Sequence, residues 1–414
     1  MKKYLLALSA AAALLMPQAV GAEGFAINEW TAEGVAMGGA RMFAENDAGN
    51  VAYNPASITK VKGEALKNSA TYLSPHGSYK LYDATGTEIE DGHNKVHAGW
   101  AVGSYYVKQM NDKDWFGIGA FPRFSMVSEF ERGSKASSNA FFSKLVGVSV
   151  TPTYAHKFDK KWSAAVGAEV NYVGLELQKN LNGMTSRPTQ IEGESYALGW
   201  NAAANYSFDE KNEVGVVYRS RITHSLEADL KSYGTGVMGN AYGVVTLPDS
   251  WDIGYNHKFD KKTRVELKAT RTNWSTYDAL NVYFDKSILG MPGVGDKALS
   301  DKDWESGWRY AVGVEHNLSD KYAVMAGFAY DESAIPYDGG DFLVPTGNRR
   351  TYSIGGRYND DKQTVAVALG WMDIGGLSFA GHSNPINGQT DVYNRARTRD
   401  NSCKVVSVSY ERRF

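Results

Sequence analysis

The chain has 414 residues, with 43 Gly, 11 Pro and 12% aromatic residues. A hydrophobic content of 43% is too high for a disordered chain, and beyond residue 22 no apolar run approaches the length of a membrane-spanning helix. The single cysteine excludes a disulfide framework and a cysteine-built zinc site, and the net charge of −2 gives no reason to expect nucleic acid as a partner.

Residues 1–22 are predicted to be a signal peptide. Lys2 and Lys3 precede an apolar stretch, and residues 20–22 end in the small Ala22 that suits signal peptidase. A buried helix of the fold is the alternative. An exported chain without disulfides suits the envelope of a Gram-negative bacterium.

Residues 23–63 differ from the rest of the chain because their apolar residues do not alternate with polar ones. The segment is rich in small residues, Thr31 is suited to cap one short helix, and Asn54 is suited to cap another with Pro55 at its first position. This composition predicts a compact segment without strands.

From residue 64 onward, apolar residues alternate with small or polar ones, which is typical of β-strands. Tyr196, Leu198 and Trp200 share one face of such a segment, for example, and Ala197 and Gly199 share the other. Fourteen strands are predicted, at residues 64–80, 93–109, 114–131, 141–158, 161–180, 190–208, 212–230, 243–260, 262–285, 303–318, 321–337, 346–360, 362–378 and 401–414.

Six short polar turns recur between these strands. His-Lys-Phe-Asp-Lys-Lys occurs at 156–161 and returns at 257–262, with looser copies at 111–114, 206–211, 316–321 and 358–362. Aromatic residues flank the turns, as at a membrane interface. Short turns at one end, longer loops at the other and an even strand number predict an all-β, 14-stranded antiparallel transmembrane β-barrel over residues 64–414.

A barrel of this size has a bore wider than side chains alone can fill. Left open, the bore would pass water and small solutes. We therefore predict that residues 23–63 form a hatch inside the lumen, and the alternative is a periplasmic tail.

The sequence resembles the FadL/TodX family of outer-membrane transporters of long-chain fatty acids and other hydrophobic compounds. The resemblance begins at Gly24-Phe25 and continues through Asn54-Pro55-Ala56 in the N-terminal segment. It resumes at Leu247-Pro248-Asp249-Ser250 and at Asn273-Trp274-Ser275, and then in residues 308–313, 326–336 and 350–353. The matching segments occur in family order along the mature chain.

The resemblance implies passive uptake of a lipophile, which binds in a hatched barrel and leaves sideways into the bilayer at an inward kink in the third strand. The hatch residues that it implies are Gly24, Phe25, Asn54, Pro55 and Ala56. The kink residues that it implies are Phe121, Pro122, Phe124 and Ser125, the last standing where the family has Gly. Pro122 cannot donate a ladder hydrogen bond, so it suits a break in strand pairing.

Arg309, on the inward face of the tenth strand, is a candidate partner for an anionic headgroup, and a salt bridge with lumenal carboxylates such as Glu315 is the alternative. The loops at 180–190 and 230–243 are short and polar, and Gly174 stands where fatty-acid carriers have an inward Arg. These departures leave hydrocarbons open as substrates beside long-chain fatty acids. The expected partners are hydrophobic small molecules and outer-membrane lipid, the expected state is a monomer, and neither cofactor nor metal is expected.

Two other functions are alternatives. A non-specific porin would conduct ions through an open lumen. An outer-membrane enzyme that acts on lipids would need a nucleophile beside a base, but the sequence has no Gly-x-Ser-x-Gly near a plausible base, so catalysis is not predicted.

Overall fold

The computed structural model describes residues 24–288, 297–382 and 391–414. The predicted signal peptide, residues 1–22, lies outside these ranges. The described chain begins with two short helices, α1 (Ala32–Ala36) and α2 (Asn50–Tyr53), and a 3₁₀ helix at Pro55–Lys60. Further 3₁₀ turns lie at Lys135–Ser138, Leu181–Gly183 and Trp274–Thr276. No helix in the described ranges is long and apolar enough to cross a membrane.

Fourteen strands, several of them interrupted, make up the rest of the described chain. They are β1 (Glu64–Tyr82), β2 (Glu88–His93 and Gly99–Gln109), β3 (Asp114–Glu129), β4 (Phe142–Lys157), β5 (Trp162–Asn180), β6 (Pro188–Ser207), β7 (Asn212–Arg219 and Ile222–Ser232), β8 (Val237–Leu247 and Ser250–Lys258), β9 (Thr263–Thr272 and Ala279–Phe284), β10 (Lys297–Asp301 and Gly307–Asn317), β11 (Tyr322–Asp331), β12 (Arg349–Asn359), β13 (Gln363–Ile374, extended by Ser378–Ala380) and β14 (Arg395–Arg413).

Each strand pairs antiparallel with its neighbours in sequence, and β14 closes the sheet against β1. The closing ladder runs from Ala65↔Arg413 to Tyr82↔Arg395. The prediction of a closed, 14-stranded antiparallel barrel is therefore confirmed.

The predicted strand bounds differ from the observed ones mainly at the long-loop end. Strand β14 begins at Arg395, whereas the prediction placed its start at residue 401. The prediction began too late because residues 395–400 are mostly charged and show no apolar alternation. Strands β7, β8 and β9 are interrupted at 220–221, 248–249 and 273–278, where the sequence predicted continuous strands. The second of these breaks contains Pro248, which cannot donate a ladder hydrogen bond.

All six predicted short turns are confirmed, and in each a side-chain oxygen accepts hydrogen bonds from the backbone. The oxygen belongs to Asp in four turns, to Asn111 in the first and to Ser319 in the fifth. In the β4–β5 turn, Oδ1 of Asp159 accepts hydrogen bonds from the backbone N–H groups of Lys161 and Trp162, at 2.7 and 2.8 Å. Asp209, Asp260 and Asp360 make the same pair of bonds in later turns. An Asp side chain that bonds to backbone two residues on stabilises a tight turn, which explains why the sequence repeats.

The N-terminal residues pack against the inward faces of the strands. Helix α1 contacts β11, β12, β13 and β14, whereas the 3₁₀ helix at Pro55–Lys60 contacts β4, β5 and β6 on the other side. Residues 24–63, called the lumenal segment from here on, therefore cross the bore. Outward-facing apolar side chains such as Leu198 and Ile354 are exposed, as a lipid-facing wall requires.

Candidate functional site

The lumenal segment is held at the short-turn end of the bore by buried ion pairs. Nζ of Lys67, on β1, lies 2.7 Å from Oε1 of Glu33 and 2.8 Å from Oδ1 of Asp47. Nη2 of Arg41 lies 2.8 Å from Oδ2 of Asp47, and its Nη1 lies 3.2 Å from Oε2 of Glu315 on β10. Burial alone would raise the pKa of Asp47, but the two cations outweigh it and hold that pKa well below its usual range.

Asn54, Pro55 and Ala56 also lie at the short-turn end. Asn54 caps the 3₁₀ helix, with its Oδ1 accepting from the N–H of Ala56 at 3.1 Å, and Pro55 is the first residue of that helix. Nδ2 of Asn54 donates to Oδ1 of Asn205 at 2.7 Å, and the carbonyl of Ala56 accepts from Oγ of Ser163. These three residues thus attach the segment to β5 and β6.

The ladder between β2 and β3 is interrupted. It runs from Gln109↔Trp115 to Ser104↔Ala120 and ends there, and the next bridge joins Asn94 to Phe130. Strand β3 remains paired with β4 on its other side, with a bulge between Pro122 and Phe124 that leaves Arg123 as the extra residue. A bulge bends the strand that carries it. The barrel wall therefore has an opening between β2 and residues 121–128.

The lumenal segment takes up the hydrogen bonds of β3 at this opening. The N–H of Ile27 donates to the carbonyl of Arg123 at 3.0 Å, and the N–H of Ser125 donates to the carbonyl of Phe25 at 2.8 Å. Indole Nε1 of Trp30 donates to the carbonyl of Pro122 at 2.7 Å. Since buried backbone groups are costly when unpaired, these bonds stabilise the inward bend of β3.

The side chain of Arg123 connects the opening to the opposite wall. Its Nη1 lies 3.1 Å from both carboxylate oxygens of Glu169 on β5, and it also donates to the carbonyl of Ser220 at 3.4 Å. Its Nη2 donates to the carbonyl of Pro248 at 3.3 Å. Ser220 and Pro248 are the residues at which β7 and β8 are interrupted. The guanidinium of Arg123 therefore joins the bulge of β3 to the interruptions of β7 and β8.

Phe25 lies in an aromatic cluster near the long-loop end. Its ring centroid is 4.7 Å from that of Trp274, 5.8 Å from Tyr277, and 6.0 Å from both Trp304 and Phe124. Gly24 has a φ of +65°, and a Cβ there would lie 2.5 Å from the Trp304 ring. Only Gly therefore fits at the position before Phe25.

A loop closes the mouth of the bore above this cluster. In the connection between β11 and β12, Phe342 is fully buried, with its ring 4.8 Å from Phe130, 5.2 Å from Tyr79 and 5.1 Å from Phe379. The carbonyl of Phe342 accepts from Oγ of Ser128 on β3 at 2.9 Å. The loop is thus attached to β3 just beyond its bend.

The cavities at the two ends of the bore differ in volume and in lining residues. A cavity of about 660 Å³ at the short-turn end is lined by charged residues that include Arg41, Asp47 and Lys67. At the long-loop end, a cavity of about 50 Å³ lies beside the opening, next to Met126, Val127 and Leu343. A third cavity of about 30 Å³ lies between Trp30, Phe124 and Arg219.

Arg309 is fully buried and contacts protein groups. Its Nε lies 2.6 Å from Oδ1 of Asp331, its register partner on β11, and its Nη2 donates to the carbonyl of Gly38 at 2.8 Å. Arg349 binds the other oxygen of Asp331 at 2.8 Å. The salt bridge of Arg309 is therefore with a lumenal carboxylate, as the alternative stated, but the example given there, Glu315, contacts Arg41, Arg264 and Arg357. The headgroup role of Arg309 stays a prediction.

The structure thus brings Gly24, Phe25 and Phe124 together at the opening, with Phe121, Pro122 and Ser125 alongside. The opening does not include Asn54, Pro55 and Ala56, which lie at the short-turn end, or Arg309, which pairs with Asp331. Sequence reasoning missed Arg123 and Phe342. The only signal for Arg123 was its position between two aromatic residues of the kink, and Phe342 lies in a loop without regular pattern. Among the described residues, no group of three or more His, Cys, Asp or Glu is placed to hold a metal ion.

The chain was compared with known proteins. The family described as outer membrane protein transport protein (OMPP1/FadL/TodX) matches residues 13–414. The long-chain fatty acid transport protein of Escherichia coli (strain K12) is 23% identical over 416 residues, with 88% of this chain and 91% of the relative covered. Outer membrane protein P1 of Haemophilus influenzae is 26% identical over 431 residues, with 91% of each chain covered.

Two solved structures share the fold. A FadL homologue of Pseudomonas aeruginosa has a TM-score of 0.82 at 17% identity, with 94% of this chain and 99% of that chain covered. The toluene transporter TodX of P. putida has a TM-score of 0.69 at 15% identity, with the same coverage.

Proposed function

Because the chain belongs to the OMPP1/FadL/TodX family of outer-membrane transport proteins, we propose that it takes up hydrophobic compounds passively and releases them sideways through the opening between β2 and β3. Its location is the outer membrane of a Gram-negative bacterium, as predicted. Long-chain fatty acids are the first candidates, since the curated relatives include long-chain fatty acid transport proteins. Hydrocarbons come next, because toluene transporters share the fold.

The observation that carries the proposal is the interrupted ladder of β3, next to Phe25 and its aromatic cluster. A lipophile that reaches this cluster is surrounded by apolar side chains and lies beside a gap that faces hydrocarbon. Transfer of an acyl chain to water costs about 0.8 kcal/mol per methylene, so release into the periplasm is unfavourable and release into the bilayer is not.

The lumenal segment acts as the hatch in this proposal. Its ion-paired part closes the periplasmic end, and its first residues, Phe25 to Ile27, move to admit and release the substrate. No catalytic role is proposed; the Nε2–H of the buried His224 donates to Oδ1 of Asn171 at 2.9 Å. A non-specific porin would instead require an open path through the upper lumen, where the aromatic cluster and Phe342 now pack.

Deletion of Arg123 tests lateral release. Without this extra residue β3 is able to pair in register with β2, so we expect the opening to close and uptake of a radiolabelled long-chain fatty acid to be lost. The control is Arg123→Ala, which keeps the bulge in the backbone and is expected to retain more uptake. Heat-modifiable migration in electrophoresis checks that each variant forms a barrel. Normal uptake by a folded deletion variant would contradict lateral release through this opening.

A further inference from the structure

Outward-facing cations and carboxylates are concentrated on different strands at the extracellular end of the barrel. Five cations, called the basic wall, project from β14 and β1, and they are Arg395, Arg397, Arg399, Lys404 and Lys80. Five carboxylates, called the acidic wall, project from β5, β6 and β7, and they are Glu176, Glu192, Glu194, Glu227 and Asp229. Charges of the other sign also lie at each wall, namely Glu88, Asp91 and Asp400 at the basic wall and Lys144 and Lys231 at the acidic wall, so the two sides differ in which sign is more frequent.

Like charges lie directly opposite each other within the basic wall. Arg397 is the register partner of Lys80 across the β1–β14 ladder. Arg399 and Lys80 share the carboxylate of Asp91, at 2.7 and 3.5 Å. Each also has a second carboxylate, Asp400 at 3.3 Å for Arg399 and Glu88 at 2.6 Å for Lys80. Directly opposed like charges destabilise a sheet, so this arrangement favours an anion that contacts several of the cations at once.

Three cations of the basic wall have no counterion among the residues that the structure describes. Arg395, Arg397 and Lys404 are exposed, and in the described ranges none of them forms an ion pair with a carboxylate. The guanidinium of Arg395 lies 4.4 Å from the centroid of the Tyr82 ring, which fixes its position without neutralising its charge. These groups remain free to bind an anion from outside.

The surface beneath the basic wall is apolar. Lys404 lies opposite Trp371 on β13, and towards the periplasm the exposed outward residues are Leu369, Val367, Val406 and Val408. A ligand that matches both the basic wall and the apolar surface beneath it has anionic groups at the membrane surface and acyl chains along the outside of the barrel. The opening between β2 and β3 lies two strands away from β14.

We propose that the basic wall binds the phosphate groups of a phosphorylated glycolipid of the outer leaflet, of the lipid A type, whose acyl chains lie along β13 and β14. Arg and Lys suit phosphate because guanidinium forks bind its oxygens in pairs and ammonium adds charge. The acidic wall repels the same headgroup. The bound lipid would therefore flank the lateral opening on one side of the barrel only. This inference needs the outer-membrane location but not the proposed transport.

Native mass spectrometry of the purified full-length mature chain tests the proposal, with bisphosphorylated hexa-acyl lipid A as the probe and its dephosphorylated form as the comparison. We expect the parent to retain the bisphosphorylated probe, and Arg397→Glu combined with Lys404→Glu to retain at least about tenfold less. The matched control, Lys160→Glu with Lys161→Glu in a periplasmic turn, changes the net charge equally and is expected to bind like the parent.

Equal retention of the two probes by the parent would overturn the proposal, and so would undiminished binding by the folded Arg397→Glu/Lys404→Glu variant. Oligomers of the parent that this variant abolishes, without a change in lipid retention, would also overturn it. They would assign the basic wall to contact with the acidic wall of a second copy.

Discussion

The two ends of the bore hold the same N-terminal segment by different forces. At the periplasmic end, Lys67 and Arg41 bind carboxylates of the segment and of the wall, beside a charged cavity of about 660 Å³. At the extracellular end, aromatic packing of Phe25 and one backbone hydrogen bond each of Phe25 and Ile27 with β3 hold the segment, beside cavities of about 50 and 30 Å³. Breaking a buried ion pair is costly, whereas apolar contacts can be exchanged for those of an apolar ligand. The difference indicates a fixed part and a movable part within one segment.

Deletion of residues 24–63 removes both attachments and has the largest expected effect. We expect the closed barrel to become a water-filled pore, with stable current steps in planar bilayers where the full chain gives none. Current steps of equal size from the undeleted chain would show that the segment does not close the bore, and would favour the porin function.

Lys67→Met breaks the periplasmic attachment alone. It leaves the buried Glu33 without its cation, whereas Asp47 keeps its ion pair with Arg41, and the expected cost is about 3–5 kcal/mol. We expect intermittent current steps and trypsin cleavage after Arg41, measured by mass spectrometry of the cleaved protein. The control is Lys62→Met, which removes an exposed lysine of the same segment. A closed, protease-resistant Lys67→Met variant would show that the ion pairs do not fix the segment.

Phe25→Ala weakens the extracellular attachment alone. Loss of this buried ring costs about 3 kcal/mol locally, so we expect altered fatty-acid uptake with no ion conductance. The control is Phe158→Ala, whose ring lies exposed at a periplasmic turn. Conductance by the Phe25→Ala variant would mean that the two attachments are not separable.

Arg123→Lys has the smallest expected effect and examines the boundary between the two parts. Lysine keeps the charge opposite Glu169 but loses the hydrogen bonds to Ser220 and Pro248, at a cost of about 1–2 kcal/mol. We expect slower uptake and a modestly lower temperature of thermal unfolding. Glu169→Gln, which keeps the shape of the partner, should give a similar decrease. Uptake unchanged in both variants would show that the side chain of Arg123 does not position the opening.

Much of the barrel could be predicted because local chemistry repeats. Asp159, Asp209 and Asp260 make each turn by the same hydrogen bonds, so the turns are visible as copies in the sequence. The site was harder to predict from the sequence because its contacts join strands that are distant along the chain. The partners of Arg123 come from β5, β7 and β8, and no pattern near residue 123 identifies them.

The ion pair of Arg309 is a second contact between strands whose partner the sequence analysis did not identify. The sequence suggested a salt bridge with a lumenal carboxylate and gave Glu315 as an example. A salt bridge is present, but its partner is Asp331, which lies directly across the β10–β11 ladder. The register of two strands joined by a short turn would have identified this pair, since counting outward from the turn at 318–322 aligns residues 309 and 331.

The short connection from the lumenal segment to β1 couples that segment to closure of the barrel. β1 is the strand against which β14 completes the cylinder, and only Val61, Lys62 and Gly63 lie between it and the 3₁₀ helix that ends at Lys60. The segment also bonds to both strands of this seam, because Glu33 pairs with Lys67 on β1 and the N–H of Ala48 donates to Glu411 on β14. A mutation that removes these contacts is therefore expected to weaken the pairing of β1 with β14 as well as the fixation of the segment.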